Sequence, residues 1–164
     1  MTTDKPSCAC CGGSAEPAAK ATCPACGGAG KPVQPATMKA LLDPRLAATV
    51  DAGTWRFCEG PACLVVYFNP ATGQTFQKAQ LKVRVGIKET EAPRPLCYCF
   101  GHSLESLQAE WETTGRLDSV DAIRAAVKEG RCQCDRLNPS GACCLGDVMK
   151  AAQQIASAPR PGKG

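Results

Sequence analysis

The chain has 164 residues, 13 of them cysteine, 16 glycine and 13 proline, with only eight aromatics; its length allows one domain or two small ones, and its alanine- and cysteine-weighted apolar share leaves little bulky material for a large core. No run approaches the ~18 apolar residues of a membrane span, and Met1 to Ser7 lacks the charged and apolar blocks of a signal peptide, so a cytoplasmic protein without membrane insertion is expected. The formal charge of +4 is scattered, eleven basic against seven acidic residues in 1–99 and eight against eight beyond; a tetrathiolate zinc and an oxidised two-iron, four-thiolate cluster would together neutralise it, which removes the charge argument for nucleic acid.

Residues 1–22 carry Cys8, Cys10 and Cys11 among alanine, glycine and proline without an apolar period, and read as a flexible arm. A turn-rich knuckle follows at Cys23-Pro24-Ala25-Cys26-Gly27-Gly28, and Thr37 to Leu46 suggests a short helix limited by Pro44. β-Branched and aromatic residues predict strands at 54–57 and 64–68, with Asn69 to Gly73 supplying hairpin turn chemistry. A third strand is expected from Lys82 to Ile87, where Val83, Val85 and Ile87 alternate with Lys82, Arg84 and Gly86. Pro93-Arg94-Pro95 then interrupts the chain and marks a boundary. Beyond it, Ser103 caps a helix with Leu104, Leu107 and Trp111 on one face, ended by Gly115. A second helix runs from about Asp118, with Val120, Ile123 and Val127 aligned, to Gly130. A third runs from Asp147, with Val148, Ala152 and Ile155, until Pro159, after which the tail reads as disordered. The expected class is α+β: an arm at 1–22, a β-module at 23–92, a helical module at 93–158 and a tail at 159–164.

Cysteine at 13 of 164 residues nears the ~8–10% at which a secreted disulfide scaffold is the default. Without an export signal, clustered thiols read instead as ligands or catalysts, and an odd number cannot pair completely. Cys23 and Cys26, two residues apart, combine with Cys58 and Cys63 of FCEGPACLVVYF into four thiolates that suit tetrahedral zinc. Apparent binding energies of roughly 10–16 kcal/mol in small fingers rival the ~5–15 kcal/mol net stability of a domain, so a β-module without a deep core can fold on such a site. A thioredoxin-like dithiol needs a βαβ setting, whereas this pair sits among proline and glycine. A catalytic zinc needs an open position, and no neighbouring histidine or carboxylate suggests one.

The helical half contributes Cys97-Tyr98-Cys99, Cys132-Gln133-Cys134 and Cys143-Cys144, more sulfurs than one tetrahedral site takes. A CxC pair suits two sulfurs on one iron, with a returning loop bringing the others; iron–sulfur clusters share no fixed spacing, so spacing alone leaves this metal open. Asn138-Pro139-Ser140-Gly141 is turn chemistry that folds Cys134 back toward the third helix, whose N-terminus favours thiolate at Cys144.

CxxC, FCEGPACLVVYF, LKVRVGIKE, LCYCFG, two helices and CQCDRLNPSGACCLGDV together resemble the amino-terminal module of the CopZ-type copper chaperones, over about residues 20–155; the helical half is also similar to bacterioferritin-associated ferredoxins. The resemblance implies a small zinc-bound β-module followed by a helical [2Fe-2S] module, with Cys23, Cys26, Cys58 and Cys63 on zinc and Cys97, Cys99, Cys134 and Cys144 on the cluster. It further implies copper handling with one-electron reduction of Cu(II) before transfer, and a copper-transporting ATPase or a redox protein as partner. The other reading is a ferredoxin-like electron carrier with no copper role. The residues after Ala156 do not provide the βαββαβ copper-carrying domain with its MxCxxC loop, and the Cys8, Cys10 and Cys11 arm offers soft sulfurs that suit Cu(I) in its place.

His102, the only histidine, closes the Rieske option, which needs two, and is expected to face solvent. Trp55 and Trp111 are expected in the core, and Glu110, Glu112, Asp118 and Asp121 on a solvated helical face. No nucleophile–base pair, phosphate-cradling loop or paired carboxylates stand out, so no enzymatic activity is expected.

Overall fold

The computed structural model describes residues 21–159. The cysteine-bearing arm, apart from Ala21 and Thr22, and the tail beyond Pro159 lie outside the described residues.

The first half builds a four-stranded antiparallel sheet in chain order from β1 (Gly30–Val33), β2 (Trp55–Cys58), β3 (Val65–Phe68) and β4 (Thr75–Gln77). β2 and β3 occupy the two segments expected from their β-branched and aromatic residues. β1 was not expected, because Pro32 cannot donate to a ladder; it is tolerated because β1 is an edge strand. Asn69 to Gly73 forms the turn between β3 and β4: Gly73 N–H donates to the Asn69 carbonyl at 2.9 Å, and Asn69 Oδ1 accepts from Ala71 N–H at 2.9 Å.

The alternation at 82–87 does not make a strand. Gly86 to Lys88 is a 3₁₀ turn, with Val85 buried and Ile87 43% exposed. The turn is pinned to the backbone of the second half, since a Cβ on Gly86 would stand 1.8 Å from the Pro95 carbonyl oxygen. The helix expected over 37–46 is divided into α1 (Pro35–Leu41) and α2 (Pro44–Ala47). Pro44 opens the second helix, where its missing N–H costs nothing, and Asp43 caps it by accepting from Arg45 N–H at 2.9 Å.

The β-module also has a deeper core than composition suggests. Trp55, Phe57, Tyr67, Phe68 and Phe76 are all buried; Trp55, Phe57, Tyr67 and Phe76 pack with Met38, Leu42 and Val85. The scarce aromatics are concentrated in one short stretch, where their large buried areas count most.

The second half starts with a two-stranded ladder, β5 (Pro95–Cys97) and β6 (His102–Ser103), followed by α3 (Leu104–Thr114), α4 (Asp118–Lys128), α5 (Cys134–Leu137) and α6 (Leu145–Ser157). Ser103 caps α3 by accepting from Ser106 N–H at 3.1 Å, and Gly115 ends it in the left-handed region at φ 71°. Leu107, Val120, Ile123, Val127, Val148 and Ile155 form one core with Cys97, Cys134 and Cys144; Trp111, half-buried, packs against it. Glu112, Asp118 and Asp121 are exposed as expected. Glu110 is not: half-buried, it accepts from Ser119 N–H at 3.0 Å and so caps α4, whose N-cap residue Leu117 has no side chain able to do so. His102 is also half-buried, as a strand residue opposite Cys97. No helix among the described residues is long and apolar enough to cross a membrane.

The proline-rich segment at 93–95 separates two halves that are packed together. Tyr67 Oη donates to the Pro139 carbonyl at 2.7 Å, fully buried, and Thr37 Oγ1 donates to the Asp135 carbonyl, so the β-module grips the loop that carries Cys134 and Cys144. Tyr98 Oη, between Cys97 and Cys99, donates to the Arg84 carbonyl at 2.9 Å and accepts from Gly86 N–H at 2.9 Å. Replacing Tyr67 by Phe removes the donor but leaves the buried carbonyl, an unsatisfied group costing about 1–3 kcal/mol. The expected outcome is a lower denaturant midpoint at unchanged slope; an unchanged midpoint would contradict this role for the bond.

Candidate metal centres

The knuckle is a tight turn closed by two backbone bonds, Gly27 N–H to the Cys23 carbonyl and Cys23 N–H to the Gly28 carbonyl, both 2.8 Å. It leads into β1, and the β1–β2 register places Gly30 opposite Cys58. The loop after β2 returns to β3 through Cys63. Four sulfurs thus meet at one end of the sheet although they lie up to forty residues apart in sequence.

Cys23 and Cys63 Sγ are 3.9 Å apart, Cys26 and Cys58 Sγ 3.6 Å, and all four lie within 4.8 Å of one another. A tetrahedron with Zn–S bonds of about 2.3 Å has sulfurs about 3.8 Å apart, so both the donor chemistry and the spacing fit zinc. The separations far exceed the ~2.05 Å of a disulfide. Gly60 lies against the group: a Cβ there would sit 3.1 Å from Cys26 Sγ and 3.2 Å from Cys63 Cβ. Lys88, buried, donates through Nζ to the carbonyls of Gly60 at 2.7 Å and Cys63 at 3.2 Å. Sequence reading missed Lys88 because it follows what reads as an alternating exposed strand.

Cys26, Cys58 and Cys63 are inequivalent. The Gly28 N–H, with the Cys58 thiol, brings exposed Cys26 down to about 7, whereas burial pushes Cys58 up to about 12 and also raises Cys63.

The second set converges from three segments. Cys97 ends β5, Cys99 lies in the following turn, Cys134 opens α5 and Cys144 is the N-cap residue of α6. The Asn138 loop folds back as expected, Asn138 Nδ2 donating to the Ala142 carbonyl at 2.9 Å and Gly141 N–H to the Asn138 carbonyl at 2.8 Å. Cys99 and Cys134 Sγ are 3.5 Å apart, and Cys144, a free thiol like them, is buried in one cluster with Cys97 and Cys134. The close Cys99–Cys134 contact crosses loops. Among the described residues, no three of these sulfurs converge as tightly as the first group. A wider set of four thiols, three of them buried, fits a two-iron cluster, which takes four cysteine ligands across two metals.

Cys132 is disulfide-bonded, which leaves Cys134 as the free thiol of its CxC pair; Cys134 Sγ accepts from Cys144 N–H at 3.4 Å, and the Cys144 thiol together with that N–H lowers Cys134 to about 6. The same thiol holds Cys97 at about 7, and burial lifts Cys99 to about 12. The α6 N-terminus thus serves the sulfur of Cys134 through the Cys144 N–H; Cys144 itself, the donor to both neighbours, is raised. Cys143 is half-buried beside it.

A family model described as a zinc binding domain, zf_CopZ, matches residues 20–82. The solved amino-terminal domain of CopZ from Archaeoglobus fulgidus superposes with a TM-score of 0.67 at 36% identity, covering 79% of this chain and 95% of that one. The chain belongs with the CopZ amino-terminal domains. The full-length copper chaperone CopZ of that organism is 38% identical over 113 residues, 63% of this chain and 53% of the relative. The chain thus spans about half the length of the curated relative it matches. The CopZ likeness in structure reaches beyond the β-module, because 79% of the chain is more than residues 20–82 supply.

In metal-free protein, alkylation at Cys26 should be fastest within the first group and should rise as pH passes about 7, because the reactive thiolate forms there while buried Cys58 stays protonated until about 12. Mass-spectrometric mapping checks this; Cys58 reacting as fast as Cys26 at neutral pH would contradict it.

Proposed function

We propose that this CopZ-like chain is a metal-handling accessory protein, not an enzyme, whose first cysteine quartet holds structural zinc and whose second holds a [2Fe-2S] cluster. The observation that carries the reading is the approach of Cys23, Cys26, Cys58 and Cys63 to the spacing of a tetrahedral thiolate site. Cys97, Cys99, Cys134 and Cys144 supply the second set of donors, and the N–H groups of Gln133 and Cys144, 3.1 and 3.4 Å from the sulfurs of Cys99 and Cys134, stabilise negative charge there. Bound in that pocket, such a cluster supplies one-electron chemistry.

Copper is the proposed cargo, supported by the name of the 38%-identical relative, a copper chaperone. In this reading Cu(II) is taken up, gains one electron from the reduced cluster and is passed on as Cu(I) to a copper-transporting ATPase or another protein partner in the cytoplasm. The arm bearing Cys8, Cys10 and Cys11, soft donors suited to Cu(I), is the proposed landing point.

Anaerobically purified protein should contain about one zinc and two irons per chain. Cys144→Ala should lose iron and keep zinc, and Cys23→Ala should lose zinc, as metal analysis and visible and paramagnetic spectra will read. Cu(II) added to the reduced protein should erase the reduced-cluster signal as Cu(I) accumulates, one electron per copper. A protein that holds both metals yet leaves Cu(II) unreduced is a plain electron carrier. A colourless, iron-free preparation that cannot be reconstituted overturns the cluster.

A further inference from the structure

Lys88 is 4% exposed, and its ammonium donates to two backbone carbonyls, those of Gly60 and Cys63. None of the ion pairs among the described residues includes it. The carboxylate next to it in sequence, Glu89, is turned to Lys78 at 3.1 Å and Arg84 at 3.1 Å, while Lys78 Nζ also donates to the Lys88 carbonyl at 3.0 Å. A buried cation without an anion is costly and is retained where a counter-charge meets it. Both carbonyls that hold Lys88 belong to the Cys58–Cys63 loop, and Gly60 is so close to the sulfurs that its missing Cβ would stand 3.1 Å from Cys26 Sγ and 3.5 Å from Cys58 Sγ.

Four thiolates around a divalent ion leave two negative charges, the anion that this pocket otherwise lacks. We propose that Lys88 is the buried counter-charge of the Cys23, Cys26, Cys58 and Cys63 centre and a positioning residue for its second ligand pair, and so sets how tightly that centre keeps its metal. The inference rests on the reading of this quartet as a zinc site. Because the charge is buried, salt screens it far less than it would a surface lysine.

The test is zinc competition against a chromophoric chelator with the full chain, at low and high salt, comparing the parent with Lys88→Met, Lys88→Gln and, as a surface control, Lys39→Met. Lys88→Met keeps the aliphatic stem, and Lys88→Gln keeps a hydrogen-bond donor without the charge. Both should hold zinc about 10- to 100-fold more weakly, the range for partners just outside a metal's ligands, at either salt concentration, while Lys39→Met matches the parent. Cobalt-substituted variants should keep a tetrahedral thiolate spectrum, showing that the ligands still assemble. If Lys88→Met fails to fold, Lys88→Gln decides alone. Parent-like affinity in either folded Lys88 variant overturns the proposal, and for glutamine it shows that the donor matters and the charge does not. A parent chain that binds no zinc overturns the underlying reading instead.

Discussion

Four sulfurs cannot approach within 4.8 Å of one another unless the backbone segments that carry them are held in register, and most of the β-module can be understood from that requirement. The knuckle before β1 and the loop between β2 and β3 meet at one end of the sheet because β1 pairs with β2, Gly30 opposite Cys58. Away from that end, Trp55, Tyr67 and Phe76 pack against α1 and Leu42. The aromatic cluster and the thiol group thus secure different parts of the same four strands. Cys23 and Cys58 are themselves buried with Val65 and Phe68, so a metal there would replace apolar burial that this end of a thin sheet cannot supply.

The second quartet is arranged on a different principle. Its sulfurs belong to the core of the helical half, among Leu107, Ile123 and Val148, and they are placed by loops. The returning loop is fixed from inside by Asn138 and from outside by Tyr67 and Thr37 of the β-module. The Gly86–Lys88 turn reaches both centres, through Gly86 to Tyr98 in the CxC segment and through Lys88 to the Cys58–Cys63 loop. One short turn thus holds hydrogen bonds to the segments that carry both sets of sulfurs.

Much of this was legible in the sequence because cysteine spacing, helix caps and turn chemistry are local signals. The Cys23–Cys26 knuckle, the Ser103 cap, the Gly115 stop and the Asn138 loop each depend on a few neighbouring residues, and each is found as expected. What was not legible depends on distant partners. Pro32 hides β1 until its edge position is known, and the alternation of Val83, Val85 and Ile87 suggests a strand until Gly86 is seen against Pro95. Glu110 looks like surface charge until the uncapped start of α4 comes to it. Lys88 carries no motif at all; only its burial beside the ligand loop gives it meaning. The cross-loop contact of Cys99 with Cys134 likewise depends on tertiary folding, which the CxC spacing does not encode.

The most direct measurement of the central claim is zinc X-ray absorption on the purified protein, which reports the atoms bonded to the metal and their distances. The account predicts four sulfur scatterers at about 2.3 Å and no light-atom ligand. A first shell containing nitrogen or oxygen, or fewer than four sulfurs, would contradict it.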